Sequence, residues 1–145
     1  MRIISGLNKG KKLILPNDKT TRPLKDMAKE SIFNILSHSK YVNFQLKDSK
    51  VLDLFSGIGS FGLECISRGA KKVIFCENYW NAIKILNQNI NMLKCEKNTE
   101  IIKEDIFEIF KKVKFAEKFE IIFLDPPFKE EKIETLLNAI KESKI

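Results

Sequence analysis

The order of apolar segments predicts an α/β fold built on a parallel, doubly wound sheet. From residue 51 onward, short runs rich in Val, Ile and Phe alternate with longer stretches of helical periodicity, and that succession implies parallel strands joined by helical crossovers. A glycine-rich turn directly after the first run marks a strand giving way to a helix. The 145 residues, 43% hydrophobic and 31% charged, suit one globular domain, read here as 1–145 with a basic extension over 1–50 and a core over 51–145.

Residues 1–16 read as a small β-hairpin, with Ile3-Ile4 and Leu13-Ile14-Leu15 flanking the turn-forming Asn8-Lys9-Gly10. Pro23 pre-sets a helix start, and Leu24, Ala28, Ile32, Ile35 and Leu36 recur at helical spacing up to about Ser37. Val51-Leu52-Asp53-Leu54-Phe55 has the composition of a strand buried on both faces. Residues 60–68 suit a helix and Val73 to Glu77 a second strand. The next helix, about 79–93, places Trp80, Ile83, Leu86, Ile90 and Leu93 on one stripe. A weak third strand over Glu100–Lys103, a helix over 105–114 and a strong fourth strand, Phe119 to Asp125, follow.

Charge is unevenly placed. Residues 1–50 carry eleven Lys or Arg against four Asp or Glu, which accounts for the whole net charge of +7, while 51–145 carry fifteen of each. Such an arm suits a polyanion, because neutralised phosphates release counterions; a merely solvated lysine-rich surface is the alternative. The candidate phosphate contacts are Lys9, Lys11, Lys12, Arg22 and Lys25. No apolar run is long enough for a membrane span and the amino terminus turns polar early, so a soluble, cytoplasmic protein is expected. Three scattered cysteines and a single histidine argue against disulfides and a metal site, and leave the cysteines as ordinary thiols.

Asp53-Leu-Phe-Ser-Gly57-Ile-Gly59-Ser-Phe-Gly62 has the Gly-x-Gly-x-x-Gly spacing that lets backbone turn tightly and approach a ligand. Glu77, at the end of the second strand, can accept from both ribose hydroxyls of an adenosine, and Asp105 can reach an adenine amino group. Phe55, Ser56, Asn78 and Ile106 adjoin these positions and complete the candidate cofactor set. A nicotinamide dinucleotide would satisfy the glycines and Glu77 equally well. Asp53 separates the two: a carboxylate before the glycine loop repels a pyrophosphate and attracts the ammonium of a methionine moiety, which favours S-adenosylmethionine.

Asp125-Pro126-Pro127-Phe128 closes the fourth strand, where ligands gather in open parallel sheets. A simple strand stop is the competing reading, since two prolines cannot continue a ladder. An exocyclic base amine is a poor nucleophile because its lone pair is delocalised into the ring. The Asp125 carboxylate and Pro126 carbonyl, aimed at its hydrogens, would localise that lone pair, with Pro127 keeping the turn rigid and Phe128 stacking an extruded base.

At these residues the sequence resembles the bacterial 16S ribosomal RNA guanine-N2 methyltransferases of the RsmD type. The likeness runs through Arg2-Ile-Ile-Ser-Gly6, Lys9-Gly-Lys-Lys-Leu13, Thr21-Arg22-Pro23, Lys29-Glu-Ser-Ile-Phe-Asn34, the Asp53 to Glu64 loop, Ser67-Arg-Gly-Ala70 and the Asp125 motif. It implies a Rossmann-like fold that binds S-adenosylmethionine. It also implies methylation of one guanine of small-subunit ribosomal RNA, with the basic hairpin and Arg22 facing the RNA and the small subunit as partner. Phe128 stands where the family commonly has tyrosine. The resemblance further implies a strand order of 3-2-1-4-5-7-6, of which the last three strands would be absent here. The uncovered edge of Phe119 to Leu124 is then expected to make the chain marginally stable and self-associating, or inactive. A DNA amino-methyltransferase would need a target-recognition segment for which there is no room. An RNA-binding module that has lost catalysis is the remaining alternative.

Overall fold

The structure is a computed structural model that describes residues 1–17, 24–38, 45–113, 115 and 117–145. Helix α1 spans Asp26–His38, followed by strand β1 (Lys50–Leu54), helix α2 (Ser60–Ser67), strand β2 (Lys72–Cys76) and helix α3 (Trp80–Leu93). A 3-10 turn (Glu96–Asn98) leads into strand β3 (Thr99–Ile102), and helix α4 (Ile109–Lys112), strand β4 (Ile121–Leu124) and helix α5 (Ile133–Ser143) complete the described order.

The strands form one sheet in the order β3-β2-β1-β4, and every pairing is parallel. The expected doubly wound fold follows from side-chain alternation. Val51, Val73 and Phe75 enter a core shared with Phe61 and Leu63 of α2 and Leu86, Ile90 and Leu93 of α3. Leu52, Leu54, Ile74 and Cys76 point to the other face and pack with Ile109 and Leu136 of α4 and α5. Asp53 lies on the same side of β1 as Val51, which aims its carboxylate toward α2.

The amino-terminal segment keeps the expected hairpin in a short form. Its two arms meet at a single antiparallel bridge, Arg2 with Lys12. Across the arms Ile3 N–H donates to the Lys11 carbonyl at 2.9 Å, Gly10 N–H to the Ile3 carbonyl at 2.8 Å and Leu13 N–H to the Met1 carbonyl at 3.2 Å, while other backbone donors turn to the core domain. Ile4 and Ser5 N–H donate to the Glu64 carboxylate at 2.8 and 2.9 Å, Leu7 N–H to the Ser67 carbonyl at 2.7 Å, and Ile14 N–H to Asn89 Oδ1 at 2.8 Å. Gly6, at φ +80, runs so close to α2 that a Cβ there would lie 1.8 Å from the Ser67 carbonyl oxygen. The segment is therefore a strap over the carboxyl end of α2.

Three periodicity expectations also shift. In α1 the fully buried residues are Lys29 and Phe33, whereas Ile35 is 61% exposed; Phe33 stacks on Phe61, which stacks on Phe123 with ring centroids 3.8 Å apart. Trp80, expected on the buried stripe of α3, is 67% exposed because it occupies the first turn, beyond the sheet. The helix expected over 105–114 is cut to its second half, since the Asp105 carboxylate accepts the Phe107 N–H at 2.9 Å and holds the chain in a turn. Pro23 lies outside the described residues.

Candidate functional site

Chain order takes β2 and β3 outward on one flank of β1 and returns β4 to the other flank, so strand order reverses between β1 and β4. Connections leaving in opposite directions at such a point leave a crevice at the carboxyl ends of the strands. A cavity of about 670 Å³ opens there, within the usual range of roughly 300–1,000 Å³ for small-ligand sites. Asp53, Phe55, Ser56 and Gly57 line it after β1, Glu77 and Asn78 after β2, Asp105 and Ile106 after β3, and Asp125, Pro126, Pro127 and Phe128 after β4.

The glycines of the loop divide in their surroundings. Gly59 and Gly62 are absent from the cavity wall, and a Cβ on them would meet Leu86 Cδ1 or Phe75 Cε1, each at 2.4 Å. Their lack of a side chain lets α2 pack closely on the sheet and on α3, and Gly57 lines the cavity. Of the basic candidates, Lys25 of the α1 approach lines the cavity, while Lys9, Lys11 and Lys12 are exposed on the strap away from it. Arg22 lies outside the described residues.

Glu77 ties the loops together. One carboxylate oxygen accepts the N–H groups of Asn78 and Tyr79 at 2.9 and 2.8 Å, and the other accepts the Gly57 N–H at 2.8 Å. With about four acceptor positions on a carboxylate, roughly one is left for a ligand hydroxyl rather than the two expected. Asp105 is drawn toward this corner by Asn78 Nδ2 at 3.4 Å. Phe55 is held at φ 57, a left-handed conformation that costs a non-glycine residue about 1–3 kcal/mol, and its ring sits edge-on to Phe107. Phe128 is fully exposed at the cavity rim.

Asp53 is 1% exposed and its carboxylate accepts the Gly62 N–H at 3.0 Å. Burial pushes its pKa up to about 8 against that hydrogen bond, and the negative charges of Asp125 and Glu77 push in the same direction as burial. A cation in the cavity would reverse the shift. With Asp53, Glu77, Asp105 and Asp125 on one cavity, the site suits a ligand carrying ammonium and sulfonium groups and disfavours a pyrophosphate.

Several wall residues had no part in the sequence reading. Ser60 falls between the second and third glycines of the loop, where glycine spacing drew the attention. Its hydroxyl and that of Ser56 are buried with no hydrogen-bond partner among the described residues, although both residues line the cavity. Unpartnered buried hydroxyls facing a cavity are what a polar ligand would satisfy, so the residues present fit the methionine end of S-adenosylmethionine. Glu130 and Tyr79 line the wall as well.

Asn89 of α3 is fully buried and reaches the loop from behind. Its Nδ2 donates to the carbonyls of Ile58 at 3.3 Å and Ile14 at 3.2 Å, which links the cofactor loop to the strap. The three cysteines are free and buried, and burial raises their thiols, that of Cys95 to about 11, so thiolate chemistry is suppressed. Among the described residues there is no metal-competent group of three His, Cys, Asp or Glu, and no helix is long and apolar enough to cross a membrane.

Comparison with known proteins bears on the family and the fold. YlbH of Bacillus subtilis, described as a candidate rRNA methyltransferase, is 36% identical over 143 residues, covering 98% of this chain and 74% of its own. Ribosomal RNA small subunit methyltransferase D of Haemophilus influenzae is 39% identical over 129 residues, covering 88% of this chain and 64% of its own. The solved structure of yhhF from Escherichia coli, titled a candidate methyltransferase, superposes with a TM-score of 0.77 at 28% identity, over 99% of this chain and 73% of its own. The fold is that of the Rossmann-like methyltransferases, and the cofactor is S-adenosyl-L-methionine. The family model described as Conserved hypothetical protein 95 matches residues 1–145, and the chain belongs to that methyltransferase family.

Proposed function

We propose that this chain methylates the exocyclic N2 amino group of a guanine in small-subunit ribosomal RNA, in the cytoplasm, as free RNA or within the subunit. One observation carries the reading. Asp125-Pro126-Pro127-Phe128, at the end of β4, opens onto the same cavity as Asp53 and Glu77, and Lys25 of the basic extension stands on its wall. The relatives named above as rRNA methyltransferases support an RNA substrate.

When bound, S-adenosylmethionine supplies an electrophilic methyl group. Asp53 holds the ammonium of its methionine end, while Phe55, Ser56 and Gly57 form the adjoining wall. Glu77 and Asn78 face the ribose, and Asp105 and Ile106 face the adenine. On the substrate side, the Asp125 carboxylate and the Pro126 carbonyl accept hydrogen bonds from the amine and localise its lone pair toward the methyl group. Pro127 stiffens that turn, and the exposed ring of Phe128 stacks an extruded base. Transfer of the methyl group from sulfur to nitrogen would leave the neutral thioether S-adenosylhomocysteine and an acidic substrate ammonium, whose proton Asp125 or water takes. Lys9, Lys11, Lys12, Arg22 and Lys25 contact phosphates and set position rather than chemistry.

Methyl transfer to guanine-containing RNA, with the modified base identified by mass spectrometry, tests the proposal against its competitors. N2-methylguanine is expected. Methyladenine or methylcytosine would point to a different amino substrate, and RNA retention with no methyl transfer would point to a binding module. Asp125→Ala is expected to abolish transfer and leave the salt dependence of RNA binding intact.

A further inference from the structure

We infer that Asn89 is a positioning residue that holds the basic strap and the cofactor loop as one unit, so that RNA on the strap and cofactor in the cavity raise each other's affinity. This tie rests on S-adenosylmethionine in the cavity and on the strap facing RNA, as proposed above, and links the two.

Asn89 is fully buried in α3, where an amide side chain cannot fall back on water. Its Oδ1 accepts the Ile14 N–H at 2.8 Å, and its Nδ2 donates to the Ile14 carbonyl at 3.2 Å and to the Ile58 carbonyl at 3.3 Å. The amide thus takes both backbone polar groups of Ile14, as a neighbouring strand would, and spends both of its donors. Ile58 lies between Gly57 and Gly59, is 1% exposed and lines the cavity. Its peptide with Gly59 is fixed on both sides, since the Gly59 N–H donates to the Ser56 carbonyl at 2.8 Å while Asn89 holds the Ile58 carbonyl.

Other pins of the strap go elsewhere. Ile4 and Ser5 N–H reach Glu64, and Leu7 and Asn8 N–H reach Ser67, residues of α2 that are not on the cavity wall. Asn89 reaches a residue that is. Ile14 itself does not line the cavity, and the exposed Lys11 and Lys12 stand just before it in the strap. Displacing Ile14 would strand polar atoms of a buried amide that also orders the glycine loop, and loosening the loop would strand one of its donors. A ligand that orders either partner therefore favours the ordered form of the other, and the coupling is reciprocal.

Titration of S-adenosylhomocysteine by calorimetry, alone and with a saturating guanine-containing RNA hairpin, measures the coupling. In the wild type RNA is expected to tighten S-adenosylhomocysteine about five-fold, the low end of typical coupling between sites. In Asn89→Ala the two affinities are expected to coincide. A wild type without such a gain, or a variant that weakens S-adenosylhomocysteine but keeps the same gain, overturns the inference and leaves Asn89 a purely structural residue. Hydrogen exchange on the wild type supplies a test that does not depend on the variant folding. S-adenosylhomocysteine without RNA is expected to slow exchange at the Ile14 amide and leave the Leu7 and Asn8 amides, pinned on Ser67, unchanged. No slowing at Ile14, or equal slowing at all of these amides, overturns the tie. The underlying readings fail separately: a wild type that does not bind S-adenosylhomocysteine overturns the cofactor site, and RNA affinity unchanged by neutralising Lys9, Lys11 and Lys12 overturns the RNA-facing strap.

Discussion

Asp53 is a residue in which burial and function oppose each other. An acid whose folded pKa is about 8, against an ordinary value of 3.8, keeps a proton in the folded state that the unfolded chain has already released. The folded state is therefore favoured below pH 4 and loses stability as pH rises toward 8, by at most about 1.4 kcal/mol per pH unit. Urea denaturation of the wild type and Asp53→Asn at pH 5, 6.5 and 8 isolates the effect, because all other titrating groups cancel in the difference. The wild type is expected to lose ground to the variant with each step upward; a difference that stays flat would mean that Asp53 keeps its charge when buried. The location of Asp53 was legible from its place before the glycine loop. Its protonation was not, because it depends first on burial beneath α2 and then on the charge of Asp125, which is 72 residues away in sequence and adjacent only after β4 pairs with β1.

At the scale of elements, α2 is the hub. Glu64 is fully buried and accepts Ile4 and Ser5 N–H from the strap and Arg68 Nε at 2.7 Å, with the Lys29 ammonium of α1 at 3.6 Å. Lys29 Nζ donates to the Arg2 carbonyl at 2.7 Å, and burial lowers its pKa against the pull of Glu64 and Asp26. Removing one partner of a buried ion pair strands the other, so Glu64→Ala is expected to cost about 3–5 kcal/mol in chemical denaturation. Hydrogen exchange at the Ile4 and Ser5 amides should accelerate in parallel. If protection there persists, the strap is held by Ser67 and Asn89 without Glu64. Nothing in the pattern of α1 singled out Lys29, because periodicity assigns lysines to the solvent face; only a buried carboxylate on another helix reverses that assignment.

For the whole molecule, Lys9, Lys11 and Lys12 of the basic amino-terminal third are exposed on a strap pinned to α2, and Lys25 lines the cavity. Neutralising Lys9, Lys11 and Lys12 together is expected to flatten the dependence of log affinity for RNA on log salt by about 3 units at most, from roughly 0.9 per contact on duplex or 0.7 on single strands. An unchanged slope would leave the strap solvated and without a role in RNA binding. The sheet offers a second test. Among the described residues β4 pairs only with β1, and Ile121–Leu124 is apolar throughout and half-buried. An edge of that kind with no proline or lysine inside it templates pairing with another chain. Sedimentation of the 145-residue polypeptide over a tenfold concentration range is expected to show association, which Ile122→Lys should suppress; a concentration-independent monomer would show that the edge is protected.

Sequence alone determined the class of fold, the order of its strands and helices in the chain and the identity of the loop residues at the strand ends. Each of those depends on short-range pattern: short apolar runs, glycine turns and prolines act within a few residues. Tertiary structure decided which glycine lines the cavity, which lysine is buried, why the amino-terminal arms form one bridge instead of a ladder, and that two serines meet no partner among the described residues. Those outcomes depend on what lies across the sheet. A glycine needed for packing against Phe75 and one needed for ligand approach look alike in sequence, and a backbone donor's partner, such as Glu64 for Ile4, comes from residues some sixty positions away.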